Sequence, residues 1–166
     1  MNRLVTMSLL ATACVGLVLA GALAASSEPA TGPAWATTYD ADFTKDLGAW
    51  KILEAEGKLV AGEGVKFTDL KTTGGLHQEG KPVDVSAVPN VTIEMENAGK
   101  ERITLYFKVK TGKKADTKEF KVEPGKFTFK YDLKDASEVD LKKIDYMKLF
   151  GAGEVNLVVK KITLSK

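Results

Sequence analysis

Cysteine is almost missing from this 166-residue chain. The single thiol, Cys14, lies in the apolar N-terminal stretch, so residues 26–166 can form no disulfide, offer no thiolate nucleophile and give no sulfur to a metal. Histidine is as scarce: His77 stands alone, which excludes a two-histidine metal site and any His–Cys pair. Arg102 is the only arginine after Arg3, so the basic residues are nearly all lysine. Lysine is a weaker choice than arginine where a phosphate or carboxylate must be gripped by two parallel hydrogen bonds. Neither charge is in large excess: Lys+Arg 24 against Asp+Glu 22 leaves +2. A nucleic-acid binder normally shows a strong basic surplus, so no nucleic-acid partner is expected. No strand-GxxxxGK[ST]-helix phosphate loop and no G-x-S-x-G nucleophile elbow occurs.

What is present in quantity is a two-residue rhythm. Over residues 102–110 the odd positions Ile103, Leu105, Phe107 and Val109 are apolar, and over 126–133 so are Phe127, Phe129, Tyr131 and Leu133. Successive strand side chains point to opposite faces, so each run has one apolar and one lysine-rich polar face. Further runs fall near residues 38–43, 50–53, 58–61, 65–67, 74–78, 90–96, 120–122, 144–150 and 155–164. They are punctuated by Gly62-Glu63-Gly64, Asn97-Ala98-Gly99, Thr111-Gly112, Pro124-Gly125 and Gly151-Ala152-Gly153. In the last run Leu157 and Val159 alternate, then Ile162 and Leu164 do so one register later, which predicts a bulge at Lys160-Lys161. Residues 135–143 carry the one helical turn the pattern suggests. About ten strands and no long helix define an all-β, antiparallel two-sheet sandwich.

Before the rhythm begins, Arg3, the apolar residues 4–19 and Ala22-Leu23-Ala24 have the order of a secretory signal peptide, read as residues 1–25; the alternative is an uncleaved anchor helix. Cys14 lacks the large aliphatic residue three places earlier that a lipid-attachment site needs. Residues 26–37, rich in Ser, Pro, Ala and Thr, read as a linker, and 38–166 as one β-sandwich domain. The leader implies a secreted, periplasmic or extracellular protein, with no membrane contact after cleavage, and a monomer is expected.

The order of these elements resembles the galactose-binding-like jelly rolls, the fold of many carbohydrate-binding modules of secreted polysaccharide-degrading enzymes. Asp42-Phe43 with Trp50 looks like their opening strand and first tryptophan, and Gly74-Gly75-Leu76 through Val83-Asp84-Val85-Ser86 like the strand and turn before their central pair. Val122-Glu123-Pro124-Gly125-Lys126-Phe127, Asp132-Leu133, Lys148-Leu149-Phe150 and residues 158–164 resemble the later strands. The resemblance implies a non-catalytic jelly-roll sandwich that binds cell-surface or matrix polysaccharide or a glycoconjugate. Two departures stand out. Lys160-Lys161 occupies the place of a paired aspartate that helps hold a structural calcium in relatives, so no metal and no cofactor is expected. Lys126 stands where relatives often carry an aromatic.

For sugar binding an exposed aromatic must lie flat on a pyranose, with polar groups nearby for the hydroxyls. Alternation turns Tyr106 outward between Thr104 and Lys108, with Phe107 on the core side. The candidate set is therefore Tyr106 with Arg102, Lys108 and Lys130 as polar or charged contacts, Trp50 at a loop edge, and His77. No catalytic residue is assigned: Ser86, His77 and Asp84 lack an elbow, and Glu94 with Glu96 reads as solubilising charge rather than a glycosidase pair. The alternative is a structural or protein-interaction domain of the cell envelope with the same fold and no sugar site.

Overall fold

The computed structural model describes residues 34–166; the expected signal peptide, residues 1–25, and residues 26–33 of the expected linker lie outside the described residues. Ala34–Thr38 is a helical turn (α1), and eleven strands follow: Ala41–Asp42 (β1), Lys51–Leu53 (β2), Glu56–Val60 (β3), Gly64–Leu70 (β4), Gly75–Val83 (β5), Asn90–Asn97 (β6), Ile103–Thr111 (β7), Lys114–Val122 (β8), Gly125–Asp132 (β9), Ile144–Gly151 (β10) and Gly153–Ser165 (β11). They form two opposed antiparallel sheets. The back sheet has the order β3-β4-β11-β6-β9, with β1 also paired to β11, and the front sheet β2-β5-β10-β7-β8. The two opposed antiparallel sheets are those expected from the alternation, and the non-consecutive neighbours give the jelly-roll order that the resemblance implies.

The inner faces are the apolar halves of the two-residue pattern. Leu76, Leu105, Phe107, Val109, Met147 and Leu149 of the front sheet meet Val65, Phe67, Ile93, Met95, Phe129 and Leu157 of the back sheet, all buried. In β11 the register against β6 shifts between Val159 and Lys161, which is the bulge the phase change predicts. Its purpose is visible in the hydrogen bonding: the Lys160 carbonyl, freed from the ladder, accepts from the Phe43 amide at 2.8 Å and ties the N-terminal segment to the sheet.

Two local expectations differ. Residues 38–43 give a helical turn and a two-residue strand because Tyr39 is driven into the core. Its amide donates to the Trp35 carbonyl at 2.8 Å and its hydroxyl to the Ile144 carbonyl at 2.9 Å. Residues 135–143 give only a 3-10 turn at Leu133–Asp135, because Asp132 and Asp140 accept from the amides of Lys134 and Lys142 and close tight turns instead of a helix.

Trp50 also requires correction as a candidate contact. It is 2% exposed between the sheets, its ring meeting Phe43 edge-on at 6.2 Å and its Nε1 donating to the Tyr39 carbonyl at 3.1 Å. A large apolar ring whose one polar atom is already bonded belongs in the core, so Trp50 anchors the N-terminal segment and meets no ligand at a loop edge. At the opposite flank Phe120 of β8 stacks on Phe129 of β9 at 3.9 Å, and the Tyr131 hydroxyl donates to the Asp116 carboxylate. Among the described residues no helix is long and apolar enough to cross a membrane.

Candidate functional site

The outer face of the front sheet is built by strand register. On β10, Met147 and Leu149 point inward, leaving Tyr146, Lys148 and Phe150 on the outside. Pairing with β7 sets Tyr146 opposite Lys110, Lys148 opposite Lys108 and Phe150 opposite Tyr106. Pairing with β5 sets Tyr146 opposite Glu79 and Lys148 opposite His77, and β2 brings Lys51 opposite His77. Three rows therefore cross the sheet: an aromatic row of Phe150 and Tyr106, a basic row of Lys51, His77, Lys148 and Lys108, and a mixed row of Glu79, Tyr146 and Lys110.

The aromatic rings are fixed before any ligand arrives. Tyr106 and Phe150 stack with centroids 5.2 Å apart and planes 24° apart. Tyr146 lies four residues from Phe150 along β10, about 13 Å at ~3.3 Å per residue, and meets His77 edge-on at 5.8 Å. Gly75 makes room beside Phe150: its φ is 131°, and a Cβ there would fall 2.3 Å from the Leu149 carbonyl oxygen and 3.1 Å from Phe150. Any other residue at position 75 would push β5 and β10 apart under the aromatic pair.

The charges are set the same way. Lys148 is 7% exposed; its ammonium donates to the Thr73 carbonyl at 2.6 Å and the Thr72 carbonyl at 3.3 Å, and lies 4.7 Å from the centre of the Phe150 ring. Burial holds its pKa below the usual lysine range, and Lys108 pushes the same way while Glu54 opposes. His77 is likewise held below the ordinary histidine value, first by burial and then by Lys148 and Lys51, against the pull of Glu79. Lys110 lies over the Tyr146 ring at 5.1 Å.

The structure thus brings Tyr106, Lys108 and His77 onto one face. Arg102 is at its end: it shares a depression of about 290 Å³ with Tyr106 and is 3.7 Å from Glu123. Lys130 does not join them, because it projects from β9 on the opposite sheet, beside Thr92, Asp132 and Ser165. Sequence reasoning misses Tyr146, Phe150, Lys110 and Lys51. In residues 144–150 both parities carry large side chains, so alternation alone does not say which are outside; only the register against Lys108 and Tyr106 does.

A larger concavity among the described residues, about 720 Å³, is elsewhere, at the strand ends between Glu56, Asp69, Glu101 and Glu154, and contains no aromatic ring. Among the described residues no group of three or more His, Cys, Asp or Glu side chains is placed to hold a metal ion.

The same jelly-roll fold occurs in carbohydrate-binding modules and in agarases of known structure. The family 11 carbohydrate-binding module from Clostridium thermocellum, solved with a β-1,3-1,4-mixed-linked tetrasaccharide, superposes with a TM-score of 0.56 at 16% identity, over 76% of this chain and 94% of that one. The agarase AgWH50C and PfGH50B each superpose with a TM-score of 0.60, at 13% and 17% identity, over 78% of this chain. The chain spans only about a quarter of the length of those two proteins, 25% and 24% respectively. No protein-family model matches the sequence, and no curated protein matches it.

Proposed function

We propose that this protein is a secreted, non-catalytic domain that binds polysaccharide along the outer face of its front sheet. The observation that carries the reading is the stacked Tyr106–Phe150 pair on an open sheet, with Tyr146 about 13 Å away along the strand direction. The half-buried rings are fixed by their neighbours, with Tyr106 stacked on Phe150 and the Lys148 ammonium over Phe150, so ordering them costs little entropy, and a shallow face suits a chain passing over it rather than a small molecule enclosed by it. Among the neighbours in fold, one is a carbohydrate-binding module solved with a bound oligosaccharide, and another is an agarase of which this fold forms part. Residues 1–25 act as the export leader in this reading, and residues 38–166 are the binding domain with residues 34–37 packed at its entry.

The experiment is affinity electrophoresis of the mature chain through gels containing a panel of plant, algal and bacterial polysaccharides. Retardation by at least one polysaccharide, lost in Tyr106→Ala and Phe150→Ala with circular dichroism unchanged, supports it. No retardation by any polysaccharide, together with stoichiometric capture of an envelope protein, would instead identify a protein-interaction domain.

A further inference from the structure

The aromatic face carries a local excess of one charge: Lys51, Lys108, Lys110 and Lys148 with His77, against Glu79 opposite Tyr146 and Glu119 opposite Tyr106. Lys148 and Lys108 are directly opposite on adjacent strands, and Lys148 and His77, then His77 and Lys51, continue the row. Lys148 and Lys108 repel across the sheet, which weakens the empty fold, and His77, held below its ordinary pKa, joins the row as a charge only when protonated. None of the four ion pairs among the described residues lies on it. The back sheet of the same molecule is arranged oppositely: Glu96 faces Lys126 across β6 and β9 and bonds Lys160 at 2.8 Å, and Glu94 faces Lys161. The two signs nearly cancel over the whole chain, so the lysine row is a segregation of charge and not a consequence of composition.

From this charge complementarity we propose that the ligand is an acidic polysaccharide. Its sugar faces lie on Tyr106–Phe150 and on Tyr146, and its repeating anionic groups meet the row between them and Lys110. The inference rests on the polysaccharide reading above and adds to it the chemical class of the glycan. Lys148 is pinned to the Thr72 and Thr73 carbonyls, so it acts from below as a fixed positive charge, while Lys51 and Lys108 flank it and Lys110 lies over the Tyr146 ring, all three at the outer surface to meet the anions. Their reach and mobility suit anionic groups spaced along a flexible chain better than the fixed fork of arginine would.

The test compares pairs of polymers that differ only in charge: polygalacturonate with its methyl ester, and dextran sulfate with dextran. The expected result is binding of the charged member of a pair at least tenfold tighter than its neutral partner. That affinity should fall about tenfold or more between roughly 0.1 M and 1 M salt, as the screening length shrinks from about 10 to about 3 Å. The double variant Lys108→Ala/Lys110→Ala should lose it, and Lys108→Arg/Lys110→Arg should keep most of it. Equal, salt-insensitive binding to the neutral and charged members would overturn the acidic assignment while leaving the polysaccharide reading intact. Absence of binding to every glycan would overturn both. Binding of single-stranded DNA as tightly as of the acidic glycans would also overturn it, since the face would then be reading charge alone.

Discussion

The two outer faces of the sandwich share strand geometry and differ in what they do with it. The back face interleaves Lys126, Lys160 and Lys161 with Glu94 and Glu96, and its outward positions on β9 are Lys126, Thr128, Lys130 and Asp132. It carries no aromatic on those strands. The front face stacks Phe150 on Tyr106 and sets Lys108, Lys148, His77 and Lys51 side by side. A face whose charges neutralise one another needs nothing further to be stable in water. A face that sets half-buried rings beside two facing lysines gains stability when an anionic partner covers it, and that asymmetry is the physical case for a binding surface on one side alone.

The comparison depends on the sandwich itself, and the largest expected effect is there. Trp50→Ala should cost about 3–5 kcal/mol of folding stability, as removal of a fully buried aromatic does. Both faces should then be lost together, seen as a cooperative fall in the chemical-denaturation midpoint. Next come the rings: Tyr106→Ala and Phe150→Ala should each weaken glycan binding by about 1 kcal/mol, the order of one aromatic contact, measured by isothermal titration. Thr128→Ala and Lys130→Ala on the back face should leave affinity unchanged and stability within about 0.5 kcal/mol.

Smaller and more diagnostic is Lys108→Thr. Relieving the repulsion with Lys148 should raise the stability of the ligand-free protein by about 0.5 kcal/mol or less, visible as a slightly higher Tm, while acidic-glycan affinity falls. Glu96→Gln on the back face should do the reverse, lowering stability slightly because Lys160 loses its carboxylate partner and leaving binding alone. The pH dependence separates the faces again. Because the folded pKa of His77 is depressed, the unfolded chain takes up its proton first. The contribution is fully present above the ordinary value of 6.5 and is lost as pH falls from there through the folded pKa. Melts of His77→Gln should show a flatter acid limb there. Glu96 also has a lowered pKa, through its bond to Lys160, so its contribution is present above 4.5 and is lost at still lower pH. Acidic-glycan binding should strengthen as His77 gains its charge.

Much of the sandwich is legible in the order of residues alone, but of the front face only Tyr106, Lys108 and His77 are. The strands of residues 102–110 and 126–133 announce themselves because a β-strand with one buried face has a strict period of two, and the bulge at Lys160-Lys161 follows from a phase slip in that period. Tyr106 is legible as outward for the same reason. Trp50 is not, since a tryptophan beside a turn is compatible with core or surface until Phe43 and Tyr39 are known to enclose it. Lys130 shares the outward parity of Lys108, but parity says nothing about which sheet a strand joins. That is settled by long-range pairing, here β9 with β6 and β10 with both β5 and β7. The same pairing creates the basic row from residues far apart in sequence, which is why the row has no local signature.

The most direct measurement is a backbone and aromatic NMR titration of the protein with an acidic oligosaccharide such as oligogalacturonate. Shifts confined to Tyr106, Phe150, Tyr146, His77 and the lysines between them are the predicted result. Shifts that instead cluster on the β3-β4-β11-β6-β9 face, or in the cleft at Glu101 and Glu154, would contradict it.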